Sequence, residues 1–228
     1  MNKGTIFGGL MAFMALGDAQ ATIVVDQSSS LVSVNAAIPD GNPVGYATSQ
    51  VFSGLNASAI NNVNVELNIS GGYNGDLYGY LVLQSADNST TTSILLNRVG
   101  RTDASGFGYG TSGMDVTLSG DTTQGYANIH GVQTPGAGPY LADGRTVDPN
   151  GNFAGAISTA GLDILNGKNA NGTWTLFLAD LAGGDQSTLV SWGLTISVVP
   201  EPITWALGIF GGGLALVMLN TRRQRRQA

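Results

Sequence analysis

Near the end of its main body the chain reads VSWGLTISV, Val190 to Val198, in which every second residue is apolar and the others are Ser, Gly or Thr. Side chains of a strand point alternately to its two faces. Strict alternation therefore puts one face on a core and the other toward water. The same period recurs in Val63, Val65, Leu67 and Ile69, spaced by Asn and Glu. Thr173–Asp180 places Trp174, Leu176 and Leu178 on one face, with Phe177 and Ala179 partly covering the other. Asp76–Leu83 is apolar on both faces, which predicts a central strand. Weaker strand candidates are Thr22–Asp26, Leu31–Val34, Thr92–Asn97 and Asp115–Leu118. The body shows no helical period, and its 34 glycines and 11% charged residues suit short strands joined by turns. The reading is an all-β chain, an antiparallel jelly-roll-like β-sandwich. Trp174 and Trp192 are expected on adjacent strands joined by LAGGDQS, packed as neighbours on one inner face.

Composition limits the chemistry. There is no cysteine, which removes disulfides, thiolate metal sites and thiol nucleophiles. Between Thr22 and Val199 only Arg98, Arg101, Arg145 and Lys168 are basic, against thirteen acidic residues, leaving that stretch near −9. Such a body has nothing to neutralise phosphates, so nucleic acid is not an expected partner.

The two ends differ from the body. Residues 1–21 carry an early Lys3, an apolar run from Ile6 to Leu16, and then Ala19-Gln20-Ala21. This is the pattern of a secretory signal peptide, with Ala19 and Ala21 as the small residues a signal peptidase accepts and cleavage after Ala21. At the other end, Ile203 to Leu219 has no charge. As a helix it would be about 26 Å long, slightly short of a ~30 Å hydrocarbon layer. Arg222, Arg223, Arg225 and Arg226 follow it and would stay cytoplasmic as a stop-transfer cluster. The expected organisation is a signal peptide over 1–21, a sandwich over 22–199, and a segment over 200–228. That segment holds a single transmembrane helix (203–219) and a basic tail (220–228).

The last segment, VPEPITWALGIFGGGLALVML followed by RRQRR, resembles the PEP-CTERM sorting signal. Its Pro-Glu-Pro, short span and basic tail occur in order over 199–226. The resemblance implies that Val199, Pro200, Glu201 and Pro202 are recognised and cut near by a membrane enzyme, exosortase. It also implies a Gram-negative host that makes exopolysaccharide. Leu165–Ile196 resembles the closing half of the P (Homo B) domain of proprotein convertases. Gly172, Trp174, Leu176, Asp180, Gly184, Leu189, Trp192 and Leu194 match its pattern. VNVELNISGGYNGDLYGYLVLQS resembles that family's opening hairpin, with Tyr73, Gly75, Asp76, Leu77 and Leu81 matching, and SILLNRVG the strand after it. The resemblance implies a jelly-roll sandwich. Residues 101–161 depart from it, being longer and richer in glycine.

Catalytic residues are sparse. His130 is the lone histidine, and GYGTSGMD offers Ser112 as a remote nucleophile for a serine-type hydrolase. Without a Gly-x-Ser-x-Gly elbow, the expectation is that the chain is not an enzyme. Asp76, Asp103, Asp115, Asp121, Asp143, Asp148, Asp163, Asp180 and Asp185 read first as turn closers. Calcium held by Asp76, Asp180 and Asp185 at one end of the sandwich is the second reading, and otherwise no cofactor is expected. Phe107, Tyr109, Tyr126 and Tyr140 lie among loop glycines, where exposed aromatics bind glycans or cover an edge. The sequence thus predicts a protein exported across the inner membrane. Its C-terminal helix holds it there until exosortase acts, and it then resides at the cell surface or in an extracellular matrix with exopolysaccharide or biofilm. A carbohydrate-binding module for that polysaccharide is the alternative.

Overall fold

The computed structural model describes residues 26–55 and 59–199. The signal peptide, the Pro200-Glu201-Pro202 motif, the apolar span and the arginine cluster lie outside the described residues. Among the described residues nine strands form two sheets. In chain order they are β1 (Asp26–Ala37), β2 (Asn42–Phe52), β3 (Ala59–Gly71), β4 (Leu77–Ser85), β5 (Thr90–Asn97), β6 (Met114–Ser119), β7 (Tyr140–Leu141), β8 (Gly172–Asp180) and β9 (Ser187–Val199). One sheet runs β1-β9-β3-β6-β7 and the other β2-β8-β4-β5. Every pairing is antiparallel except the short parallel match of β6 with β7. Among the described residues the only helical elements are four single 3-10 turns. The described residues form an all-β sandwich.

The alternating residues build the core. Val63, Val65, Leu67 and Ile69 of β3, Leu77, Leu81 and Leu83 of β4, and Leu194, Ile196 and Val198 of β9 are buried. β4 lies between β8 and β5, as its two apolar faces predict. On its outer side Tyr80 stacks on Phe177 of β8 at 4.6 Å, a cross-strand pair that stiffens the sheet.

Two expectations are corrected. Trp174 and Trp192 are both fully buried but belong to opposite sheets, β8 and β9. The segment between them crosses the sandwich and is not a hairpin turn. Trp174 instead meets Phe52 edge-on at 6.3 Å, and its indole N–H donates to the Ala170 carbonyl at 3.0 Å. Likewise β3 and β4 do not form a hairpin: the chain passes from one sheet to the other through the 3-10 turn Asn74–Asp76. Alternation specifies which face of a strand is buried and says nothing of which strand lies beside it.

A bulge also interrupts the clearest strand. Leu189 pairs with Ile69 and Ser191 with Asn68, which leaves Val190 as the extra residue. Leu189 is buried in its place.

Candidate functional site

The stretch 101–161 closes one side of the sandwich. Leu141 N–H bonds the Ala127 carbonyl at 2.9 Å, and β7 extends the first sheet beyond β6. Two residues on, Asp143 and Gly144 donate their N–H groups to Leu95 and Ile94 of β5, each at 3.0 Å, on the other sheet. The segment 141–144 thus bridges the two sheets at their β6 and β5 edges. The Gly144 carbonyl then accepts from Thr159 and Ala160, each at 2.9 Å, which brings in the 158–161 loop.

A buried carboxylate fixes this bridge. Asp143 is fully buried. Its Oδ2 accepts from the Asn97 N–H at 3.1 Å and faces His130 Nδ1 at 2.7 Å. Its Oδ1 accepts from Arg145 Nη1 at 3.0 Å and from the Arg145 N–H at 3.3 Å. The other ring nitrogen of His130, Nε2, lies 2.9 Å from the Arg101 carbonyl oxygen. Both ring nitrogens therefore face oxygen atoms of the surrounding protein. The ring also stacks near Phe153, and the Arg101 guanidinium lies over that phenyl at 5.3 Å. His130 is thus a structural tie within the 101–161 stretch. Ser112 is exposed just before β6, and no hydrogen bond among the described residues joins it to His130.

The calcium candidates separate in a similar way. Asp76 Oδ1 accepts from Arg98 Nη2 at 2.8 Å, a largely buried ion pair. Burial raises the Asp76 carboxyl, Arg98 pulls it back, and Asp185 and Asp40 raise it further. Asp180 ends β8 beside Leu77. Burial, opposed by bonds from Ala182 N–H and Ser187 Oγ and aided by Asp76 and Asp40, pushes its carboxyl up to about 6. Asp185 is exposed, and Asp40 accepts instead from the Gly184 N–H at 3.0 Å. These acids repel one another from a distance without converging. Among the described residues no group of three or more His, Asp or Glu side chains is placed to hold a metal ion.

The loop aromatics do not form a row. Phe107 is exposed, Tyr109 packs over Gly100 against the core, and the Tyr140 hydroxyl accepts from the Gly136 N–H at 3.1 Å. Gly75 explains how the 107–109 arm lies so close: a Cβ there would stand 2.2 Å from the Phe107 carbonyl oxygen.

Beside the bridge lies a cavity of about 240 Å³. Its walls are the end of β6 (Ser119), the 3-10 turn at Thr122, Leu141 and Ala142 of the bridge, and Ser158, Thr159 and Gly161 to Asp163 behind. Sequence reasoning missed it, because its residues come from three separate stretches and none belongs to a motif.

No family model and no curated protein matches the chain. Two of the solved structures that are similar in part come from one bacterium. One is the complex of an Aeromonas sobria serine protease with its chaperone, at 17% identity, 78% coverage of this chain and a TM-score of 0.42. The other is the Aeromonas sobria serine protease itself, at 16% identity, 76% coverage and a TM-score of 0.42. The chain spans 27% of the length of each of those chains. The expectation that the chain is not an enzyme is corrected here and goes no further, since both of these structures are of serine proteases. At such identity and TM-score the likeness itself brings neither family nor activity to this chain.

Proposed function

We propose that the protein is exported and sorted by its C-terminal tail to the cell surface or extracellular matrix, where it associates with exopolysaccharide. In this reading the body is a jelly-roll sandwich of the convertase P-domain type, and exosortase and signal peptidase are its processing partners. The observation that carries it is the order of the sequence: an export signal, the sandwich, then a Pro-Glu-Pro motif, an apolar span and four arginines. The position of the last strand supports it. β9 runs to Val199, so every described strand precedes the motif in the chain. A cut in the motif would release the sandwich with its core strands whole.

Intact-mass analysis of the exported protein tests the proposal. The expected species begins at Thr22 and ends near Pro200–Pro202. Replacing Pro200, Glu201 and Pro202 by alanine should leave an unprocessed, membrane-held form. A mature protein that keeps Arg222–Arg226 in the inner membrane would count against sorting. A second reading, binding of a glycan by the sandwich itself, is favoured by the cavity beside the 141–144 bridge.

A further inference from the structure

The cavity's chemistry narrows what it would hold. Among the described residues the hydroxyls of Thr122, Ser158 and Thr159 and the carboxylate of Asp163 make no hydrogen bond to another protein group. Ser119 Oγ is occupied on one side by the Asp121 N–H at 3.1 Å. Leu141, Ala142 and Leu162 supply an apolar part of the wall. A carboxylate, several hydroxyls and an aliphatic surface complement a ligand with adjacent hydroxyls on one side and C–H groups on the other.

Size and charge narrow it further. The volume falls below the roughly 300–1,000 Å³ of sites for drug-sized ligands, so one ring fits better than a chain of them. Asp163 lines the cavity and no Lys or Arg does, so an anionic ligand would meet a like charge without a counter-ion.

The apolar back of the cavity is held in place, while Thr122, Ser158, Thr159 and Asp163 stand exposed at its mouth. Leu141 and Ala142 lead directly into Asp143, whose four polar contacts lie behind them. Asn128 Nδ2 holds the Ala142 carbonyl at 2.8 Å and the Asp143 carbonyl at 3.1 Å. The hydrogen bonds behind Leu141 and Ala142 pre-organise that face, and binding would order the exposed polar side chains at the mouth.

We propose that this cavity is a binding site for a single neutral hexopyranose unit, with Asp163, Ser158 and Thr159 bonding its hydroxyls and Leu141 and Leu162 meeting its C–H face. The inference rests on the glycan part of the function proposed above and not on the sorting tail.

Saturation-transfer NMR on the full chain, held in a zwitterionic detergent without sugar, tests it. The probes are D-glucose, D-galactose and D-mannose, with D-glucuronate as the charged comparison. At least one neutral hexose should bind with a dissociation constant on the order of 1–10 mM, as expected of a ligand this small. Glucuronate should bind about tenfold more weakly, and an Asp163→Ala, Thr159→Val double variant should lose about tenfold in affinity. If that variant fails to fold, Thr122→Val with Ser158→Ala provides the same comparison. Absence of transfer to all three hexoses overturns the site, as does binding unchanged in a folded variant or glucuronate binding equal to the neutral sugars. None of these outcomes bears on the mass of the exported protein, so failure here is separable from failure of sorting.

Discussion

Replacing Asp143 with alanine is expected to destabilise the sandwich by about 3–5 kcal/mol, the cost of removing one partner from a buried charge cluster. The carboxylate is fully buried and accepts from Asn97, His130 and Arg145. Without it His130 Nδ1 and the Asn97 N–H lose their acceptor in the interior, where an unmade bond costs about 1–3 kcal/mol each. Arg145 is less affected, because about a fifth of its side chain already meets solvent. Asp143→Asn should cost less than Asp143→Ala, since it keeps an acceptor oxygen. Arg145→Ala should cost least. Urea denaturation gives these differences. For a domain of this size the alanine variant should melt on the order of 10 °C lower. Limited proteolysis adds a spatial readout: new cleavage should fall within 101–161, the stretch this carboxylate ties to β5. A loss under about 1 kcal/mol would show that the 101–161 stretch is held by other means.

That network was invisible to sequence reading for a physical reason. His130 and Asp143 lie thirteen residues apart in a glycine-rich stretch with no period, and Asp143 read as one more turn-closing aspartate. Its acceptors and donors become neighbours only when the chain crosses from β7 to β5. By contrast β3, β4, β8 and β9 were legible, because burial of one face writes itself into every second residue. β2 was not. Its inward positions include Thr48 and Gln50, its apolar Val44 and Val51 face solvent, and a bulge between Asn42 and Tyr46 breaks the register. Gly45 makes that bulge possible: φ is +62°, and a Cβ would stand 2.4 Å from the Leu178 carbonyl oxygen. An edge strand with polar inward residues carries little of the alternation that reveals a central one. The cavity was hidden for a further reason. Ser119, Thr122, Ser158, Thr159 and Asp163 are ordinary loop residues in sequence, and only the bridge at 141–144 gives them a common space.

Asp180→Asn should gain stability over the parent protein as the solution passes from acid to neutral pH. Asp180 is fully buried at the end of β8. Its Oδ2 accepts from Ser187 Oγ at 3.3 Å, while Oδ1 is buried with no partner. Burial is the main cause that lifts its carboxyl from 3.8 to about 6, and the charges of Asp76 and Asp40 add to it. The sign follows from which state holds the proton. Below pH 3.8 Asp180 is protonated in both the folded and the unfolded chain, and its ionisation costs nothing. As pH rises from 3.8 to about 6, the unfolded chain releases its proton while the folded one keeps it, so stability falls. Above pH 6 the full penalty stands, roughly 2–3 kcal/mol, because each tenfold change in proton affinity is worth about 1.4 kcal/mol. An asparagine has no proton to lose there. Its amide will add a pH-independent offset from the unpartnered position at Oδ1, so the difference between the two proteins across pH is the quantity to measure. Asp76, also raised by burial, titrates in both and largely cancels. Urea midpoints taken at intervals from pH 3.5 to 8 should diverge between pH 4 and 6 and then run parallel, with the variant gaining about 2–3 kcal/mol over that window. A constant gap at every pH would mean that the folded Asp180 ionises as easily as the unfolded one, and that the end of β8 holds its charge without strain.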